Sequence, residues 1–289
     1  MLNELLLLTA EVVLSTYPLL IKLVDASVIF QTGLRMAVYA FLAFMAASIT
    51  GAPLASASLL SSESIATGLL NLLHVFTSYT AFEQLAGGNA MALFYTYPVW
   101  NILGAAAVLK ESLPLTSLPW IGLALAGAVA LAQPSTSQWT AVGIVCALMA
   151  ALTESGIYLW FRMKKEGESD QPWTKMIQMY GSSGLLWGIG IAIMAALGLL
   201  ASGTFRITGQ GLGGILAFNA LVGFVGYALR FYLVPKVSTV IFSALSFFGI
   251  ISAYAFGWVF SNETPTMVQI AGAIAIIIAN TVLVNKETV

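Results

Sequence analysis

The chain has 289 residues, of which 59% are hydrophobic and 8% charged; a soluble domain carries about 25% charged residues, so the composition predicts an integral membrane protein. The net charge of −1 argues against a nucleic-acid partner, and the single cysteine, Cys146, excludes an intramolecular disulfide. One histidine, His74, and one thiol cannot supply the ligands of a zinc site, and we expect neither a metal nor a cofactor.

Ten segments of the sequence could each cross a bilayer, because a spanning helix needs about 20 mostly apolar residues. In chain order they are roughly 3–22, 28–49, 63–85, 88–109, 117–133, 138–162, 174–201, 209–233, 237–260 and 265–285. Turn residues or charges separate them, as in Gly51-Ala52-Pro53 and in the charged segment Lys164–Asp170. The sequence therefore predicts an all-α protein of ten transmembrane helices joined by short connections.

Basic residues fall mostly on one side of these predicted spans. If the N-terminus lies inside, the inner connections contain Lys110, Arg162, Lys164, Lys165, Lys175, Arg230 and Lys236. The outer connections contain Lys22 and Arg206, while Arg35 lies within the second span. Because cytoplasmic connections carry an excess of Lys and Arg, we expect a multi-pass protein with both termini in the cytoplasm.

The two halves of the chain share a pattern. The stretch LKESLPLTSLPWIGLALAGAVALA from Leu109 is similar to SNETPTMVQIAGAIAIIIAN from Ser261, and YTAFEQLAGGNAMALFY from Tyr79 is similar to YALRFYLVPKVSTVIFS from Tyr227. Five spans precede the repeat, so the second half enters the membrane in the opposite orientation. Inverted repeats of this kind are typical of secondary transporters, with a substrate site near the midplane. The predicted halves are residues 1–134 and 135–289.

Two motifs resemble the drug/metabolite transporter superfamily, in its EamA-like branch. FQTGLRMAVYAFLA from Phe30 is similar to the Gly-x-Arg signature of that superfamily's second helix. YPVWNILGAAAVLKESL from Tyr97 is similar to its fourth helix, where Pro98 is followed thirteen residues later by Glu111. The resemblance implies two five-helix halves in the bacterial inner membrane and export of amino acids and other small metabolites. Two features depart from the pattern: SALSFFGII stands where the second half would carry a proline, and Glu154 stands where many members carry tryptophan.

Several polar and aromatic residues are predicted to line a central cavity. At about 1.5 Å of rise per residue, four of them reach the middle of the bilayer: His74, Trp100, Asn219 and Ser246. The full predicted lining is His74, Ser78, Tyr79, Tyr97, Trp100, Tyr158, Trp160, Asn219, Ser243 and Ser246. Rings there could contact an apolar or aromatic ligand while their OH and NH groups supply hydrogen bonds. Helix packing is the alternative, and His74 could also serve as a hydrogen-bonding residue of a helix interface or as a proton carrier.

Four further residues are candidates for gating or coupling. Glu11 and Glu154 are carboxylates within predicted spans, where ionisable groups are rare and usually functional. Pro98 is predicted to interrupt its helix because it lacks a backbone donor. Tyr227 corresponds to Tyr79 in the repeat, which predicts one phenol near each mouth of the pathway, unless both belong to an interfacial belt. Neither acid has an evident basic partner at its depth, so we expect neutral acids and downhill transport.

These features predict an exporter of small amphipathic metabolites, foremost neutral and aromatic amino acids, that works by alternating access around a midplane cavity. Two alternatives stay open: an exporter of hydrophobic cationic drugs, with Glu11 and Glu154 as counter-charges, and a passive channel. The motif GSSG at Gly181–Gly184 resembles that of intramembrane serine proteases, but no histidine follows it, so no enzymatic activity is expected. The expected partners are a small-molecule substrate and the lipid bilayer; the oligomeric state is left open, and a monomer is compatible with the sequence.

Overall fold

A computed structural model describes residues 2–16, 26–54, 58–85, 87–112, 115–133, 139–163, 171–261 and 264–287. Lys22, Lys164 and Lys165, which entered the prediction of orientation, lie outside these residues. The described residues are mostly helical, and nine helical segments among them, some composed of two or three consecutive helices, are long and apolar enough to cross a membrane. The protein is therefore a multi-pass, all-α membrane protein, as its composition predicts.

The helices follow the predicted spans closely. They are α1 (Leu2–Leu14), α2 (Val28–Thr50), α3 (Ser62–Gln84), α4 (Gly87–Phe94), α5 (Tyr97–Gly104), α6 (Leu118–Ala132), α7 (Ala141–Arg162), α8 (Trp173–Ala196), α9 (Gly209–Phe218), α10 (Val225–Leu233), α11 (Thr239–Ser246), α12 (Phe248–Ser261) and α13 (Met267–Glu287). A π-helical segment, Ala105–Leu109, continues α5, and another, Asn219–Phe224, joins α9 to α10. The predicted first span is described only as α1, whose 13 residues are too few to cross a bilayer.

Helices of the two halves alternate in the bundle. α3 packs along α7 and α8, α2 along α8, and α6 along α13. α1 packs against α10, α11 and α12, while α5 contacts both α7 and α11. Residues far apart in sequence consequently meet in the buried core.

Small residues allow the closest of these contacts. α6 and α13 cross at Gly127 and Gly272: a Cβ on Gly127 would lie 2.7 Å from the carbonyl oxygen of Gly272, and a Cβ on Gly272 would lie 2.6 Å from the carbonyl oxygen of Gly127. Any side chain at either position would push the two backbones apart. Close approach through small residues is the usual basis of helix association in membranes.

The GSSG motif has the same packing role in α8. Ser182 Oγ donates a hydrogen bond to the carbonyl oxygen of Leu59 (2.6 Å), and Ser183 Oγ donates to that of Gly68 (2.8 Å). Gly68 is also so close that a Cβ there would lie 2.6 Å from Ser182 Cβ. Both hydroxyls therefore satisfy carbonyl groups of the neighbouring segment where α8 meets α3.

Two helices are interrupted near the centre of the bundle. α4 ends at Phe94 and α5 begins at Tyr97, with Pro98 in the first turn of α5, so the predicted interruption is present. A second interruption separates α11 from α12 at Phe247, where the sequence has no proline and none was predicted. The two interruptions face each other, because a Cβ added to Gly249 would lie 2.6 Å from Tyr95 Oη.

Candidate functional site

Arg230 lies at the centre of a buried polar network. Its guanidinium binds both carboxylate oxygens of Glu11, with 2.8 Å between Arg230 Nε and Glu11 Oε1. Arg230 Nη1 also donates to Tyr158 Oη (2.6 Å) and lies 3.4 Å from Glu154 Oε1. Tyr97 Oη lies 3.4 Å from Arg230 Nη2. A two-pronged arginine–carboxylate contact is the strongest common ion-pair geometry, so α10 is held firmly to α1.

The second carboxylate of this network, Glu154, pairs with the histidine. His74 Nδ1 lies 3.1 Å from the carbonyl oxygen of Ala150, which can only accept, so Nδ1 carries a proton. His74 Nε2 lies 3.1 Å from Glu154 Oε2. This is an ion-pair distance, although Glu154 Oε2 has no hydrogen bond among the described residues. The pair brings α3 and α7 together beside Arg230.

A stripe of polar residues on α7 connects this centre to one end of the bundle. Glu154, Tyr158 and Arg162 are spaced by four residues and so lie on one face of the helix. Tyr158 Oη donates to Glu154 Oε1 at 2.5 Å. We call the network of Glu11, His74, Glu154, Tyr158 and Arg230 the central network. Arg162 belongs to a separate group at the end of α7.

That group, the terminal clasp, consists of Arg162, Glu111 and Thr239. Arg162 Nε donates to Glu111 Oε1 (2.6 Å), and Arg162 Nη1 donates to the carbonyl oxygens of Val234 and Val237 (both 2.6 Å). Thr239 Oγ1 donates to Glu111 Oε2 (2.7 Å). The clasp thus ties the ends of α7, α10 and the first π-helical segment to the start of α11. Lys110, Lys175 and Lys236 lie at the same end, which we call the basic end.

A cavity lies on the other side of the central network. Its empty volume, including space at its mouth, is about 560 Å³. It is lined by Leu14, Ser15, Arg35, His74, Ser78, Tyr79, Phe82, Met91, Phe94, Tyr95, Tyr227 and Arg230. Phe82 and Met91 stand near the connection between α3 and α4, so this outer cavity extends from the network away from the basic end. Two guanidinium groups and an imidazole face several aromatic rings across it.

A smaller cavity lies between the central network and the terminal clasp. Its empty volume, including open space at its edges, is about 200 Å³, and it is lined by Asn101, Tyr158, Leu159, Arg162, Val234, Thr239 and Phe242. The hydrogen bond between Tyr158 and Arg230 stands between this inner cavity and the outer one. A single polar layer therefore divides the interior of the bundle into two compartments.

The structure brings together part of the predicted lining. His74, Ser78 and Tyr79 line the outer cavity, and Tyr97 and Tyr158 reach Arg230. Tyr227, predicted near a mouth opposite to that of Tyr79, instead lines the same cavity as Tyr79. α3 and α10 thus present these two rings to one shared interior space.

Other predicted residues lie elsewhere. Trp100 was predicted at the cavity centre, but its side chain is 39% exposed and donates to Thr96 Oγ1 on its own helix turn. Trp160 lies near the basic end, where its Nε1 donates to Glu63 Oε1 (2.8 Å). An estimate of depth along a helix does not reveal the direction in which a ring points. Asn219, Ser243 and Ser246 are buried yet line neither cavity.

Sequence reasoning missed Arg230. In the sequence analysis, Arg230 was placed in an inner connection, but the residue is 5% exposed. Arg230 binds Glu11 and lies close to Glu154, the two acids that were predicted to have no basic partner. The expectation of downhill transport depended on that absence and loses its basis. A signal was available: Arg230 lies within the apolar segment Gly209–Leu233, three residues after Tyr227, where a charged group calls for a buried partner. In the described part of the chain, no cluster of His, Cys, Asp and Glu is placed to hold a metal ion.

Comparison with known proteins identifies the fold but not the function. No protein-family model matches the chain, and no curated protein is significantly similar to it. A solved crystal structure, described only as that of a protein, matches 97% of this chain and 96% of its own with a TM-score of 0.74. Because the two sequences are 16% identical, this likeness establishes a shared fold alone.

Proposed function

We propose that this chain is an EamA-like exporter of the drug/metabolite transporter superfamily, built from ten transmembrane helices in two inverted five-helix halves. One observation carries the proposal: corresponding helices of the two halves make reciprocal contacts between an acid and a base. Glu11, on the first helix of the first half, binds Arg230 on the third span of the second. Glu154, on the first helix of the second half, lies 3.1 Å from His74 on the third span of the first. The residues differ in kind and in position along the helices, but the pairing of first with third spans is the one that a two-fold relation between the halves produces.

Helix packing supports the same relation. The contact of α1 with α10 is matched by that of α7 with α3, and the pairs α2–α8 and α6–α13 join corresponding spans. The interruptions at Tyr95-Thr96 and at Phe247 also fall in corresponding spans, the fourth and the ninth. Interrupted helices beside a central site are typical of secondary transporters with inverted repeats.

The two compartments favour a carrier over a passive channel. A channel needs a continuous pathway, whereas Tyr158 and Arg230 close the interior between the cavities and the terminal clasp closes the basic end. In alternating access, the clasp would open when the outer cavity closes. Because the clasp lies among basic residues, the basic end is the proposed cytoplasmic face of the bacterial inner membrane, with both termini inside.

The outer cavity favours amino acids over cationic drugs as substrates. Its rings can hold an apolar or aromatic side chain, and the Arg35 guanidinium in its lining can attract a carboxylate. A cationic drug would need a carboxylate free to receive it. Glu11 is bound by Arg230, and Glu154 lies within ion-pair distance of both His74 and Arg230, so neither is presented to the cavity as a free counter-charge.

Flux into liposomes tests the proposal. Purified protein should catalyse saturable uptake of phenylalanine, weaker uptake of threonine, and none of a neutral sugar or a quaternary ammonium dye. Empty liposomes provide the background, and uptake that rises linearly with phenylalanine concentration would indicate a channel instead. Dye uptake without amino-acid uptake would favour the drug exporter. Repeating the assay under a pH gradient, with wild type and His74→Gln, measures whether a proton moves with the substrate and whether His74 is needed for it.

A further inference from the structure

Asn101 is an unusual residue for the inner cavity that it lines. Its side chain is 2% exposed, and neither Oδ1 nor Nδ2 has a hydrogen-bond partner among the residues that the structure describes. Ser243, one turn after Thr239 on α11, is fully buried with a hydroxyl that is likewise without a partner in the described part of the chain. Buried amides are almost always hydrogen-bonded, so these groups call for an explanation.

Helix packing does not account for an asparagine at this position. An amide buried without partners destabilises the protein, whereas a leucine of similar size would pack against Leu159 and Phe242 at no such cost. Asn71 provides the contrast within the same bundle: its Nδ2 donates to Ser183 Oγ at 2.9 Å and joins α3 to α8. The amide of Asn71 stabilises the fold, while the amide of Asn101 faces space.

We propose that Asn101 binds the main chain of the exported amino acid in the inner cavity; this inference rests on the transport function proposed above. A side-chain amide has one acceptor oxygen and two N–H donors. Oδ1 can accept from the substrate ammonium while Nδ2 donates to its carboxylate, a combination that neither a carboxylate nor a basic residue offers. The ring of Phe242 lies in the same cavity, where it can contact an apolar substrate side chain.

The position of Asn101 defines the stage at which it acts. The inner cavity lies between the central network and the terminal clasp, on the side of the basic end. The closed inner cavity has room for little more than one water molecule. A substrate arriving from the cytoplasm would therefore meet Asn101 once the clasp opens and the cavity widens, before passing Tyr158 and Arg230. Asn101 therefore contributes to recognition on the cytoplasmic side, and the outer cavity receives the substrate afterwards.

The test compares Asn101→Leu with Asn71→Leu as a matched control. In everted membrane vesicles, which expose the cytoplasmic face, Asn101→Leu should raise the KM for phenylalanine about tenfold, because its hydrogen bonds to charged groups are lost. Its melting temperature in detergent should equal or exceed that of wild type. Asn71→Leu should show the reverse: a lower melting temperature and an unchanged KM in the protein that remains folded.

A binding measurement separates this inference from the transport proposal. Phenylalanine should raise the melting temperature of wild type in detergent but not that of Asn101→Leu. If that difference appears without any flux in wild type, the binding site stands and the transport function fails. If Asn101→Leu keeps both the wild-type KM and the wild-type thermal shift, the amide holds only water and the inference is wrong. Asn101→Asp, which lacks the N–H donors, should also lose the shift.

Discussion

Two arginine–glutamate groups on neighbouring polar layers differ mainly in their exposure to water. The side chains of Arg230 and Glu11 are 6% and 0% exposed, whereas those of Arg162 and Glu111 are 16% and 36% exposed. Each arginine binds both a carboxylate and further oxygen atoms. Water can replace the partners of Arg162 when they separate, but it cannot readily reach those of Arg230.

This difference assigns the two groups different mechanical roles. Breaking one contact of a buried ion pair leaves a charge that is neither solvated nor neutralised, so the partners of Arg230 depend strongly on one another. A partly exposed pair exchanges protein contacts for water at little cost. The central network is accordingly suited to hold α1, α7 and α10 in register, and the terminal clasp is suited to open and close.

The largest effect is expected from Arg230→Met. Removing the guanidinium leaves the Glu11 carboxylate buried without its partner, and we expect a loss of about 3–5 kcal/mol of stability. Thermal or denaturant unfolding in detergent measures it. The double variant Arg230→Met/Glu11→Leu should recover much of the loss, because it removes the stranded charge as well. If Arg230→Met alone were as stable as wild type, the central network would contribute no more to the free energy of unfolding than the terminal clasp does.

A smaller effect on stability, but a clear one on accessibility, is expected from Arg162→Gln. The partly exposed clasp should contribute less than about 1 kcal/mol. Opening of the basic end should nevertheless become more frequent. Cysteine placed at Asn101 in a Cys146→Ser background should then react several-fold faster with a maleimide when Arg162 is replaced. An unchanged labelling rate would mean that the clasp does not close the inner cavity.

The smallest effect is expected from Trp100→Ala, which lies outside both groups. Because this ring is 39% exposed and lines neither cavity, the ratio of KM values for phenylalanine and threonine should not change. Phe94→Ala is the matched comparison, since its ring lines the outer cavity and contributes about 0.5–1.5 kcal/mol of aromatic contact. If Trp100→Ala weakened phenylalanine transport selectively, the prediction would be wrong. The substrate would then contact the outer surface of α5 rather than the cavities beside Arg230 and Arg162.

Much of the fold could be predicted from the sequence, because the length of an apolar segment and the presence of a proline determine helix formation and helix interruption locally. The helix interruption beside Pro98 is of this kind. The interruption at Phe247 has no such local signal. The contact of Arg230 with Glu11 joins residues 219 positions apart, and a cation near the end of an apolar segment is ordinarily a membrane-interface residue. Only the packing of α1 against α10 distinguishes the buried partner from an interfacial charge.

The glycine crossing of α6 and α13 has a consequence for substitution. Because the two backbones touch at Gly127 and Gly272, a side chain at either position must push the helices apart. Gln269 Nε2 donates to the carbonyl oxygen of Leu131 across the same interface (3.3 Å), so the separation would also lengthen that hydrogen bond. A single methyl group at this crossing would therefore disturb packing and polar contacts together.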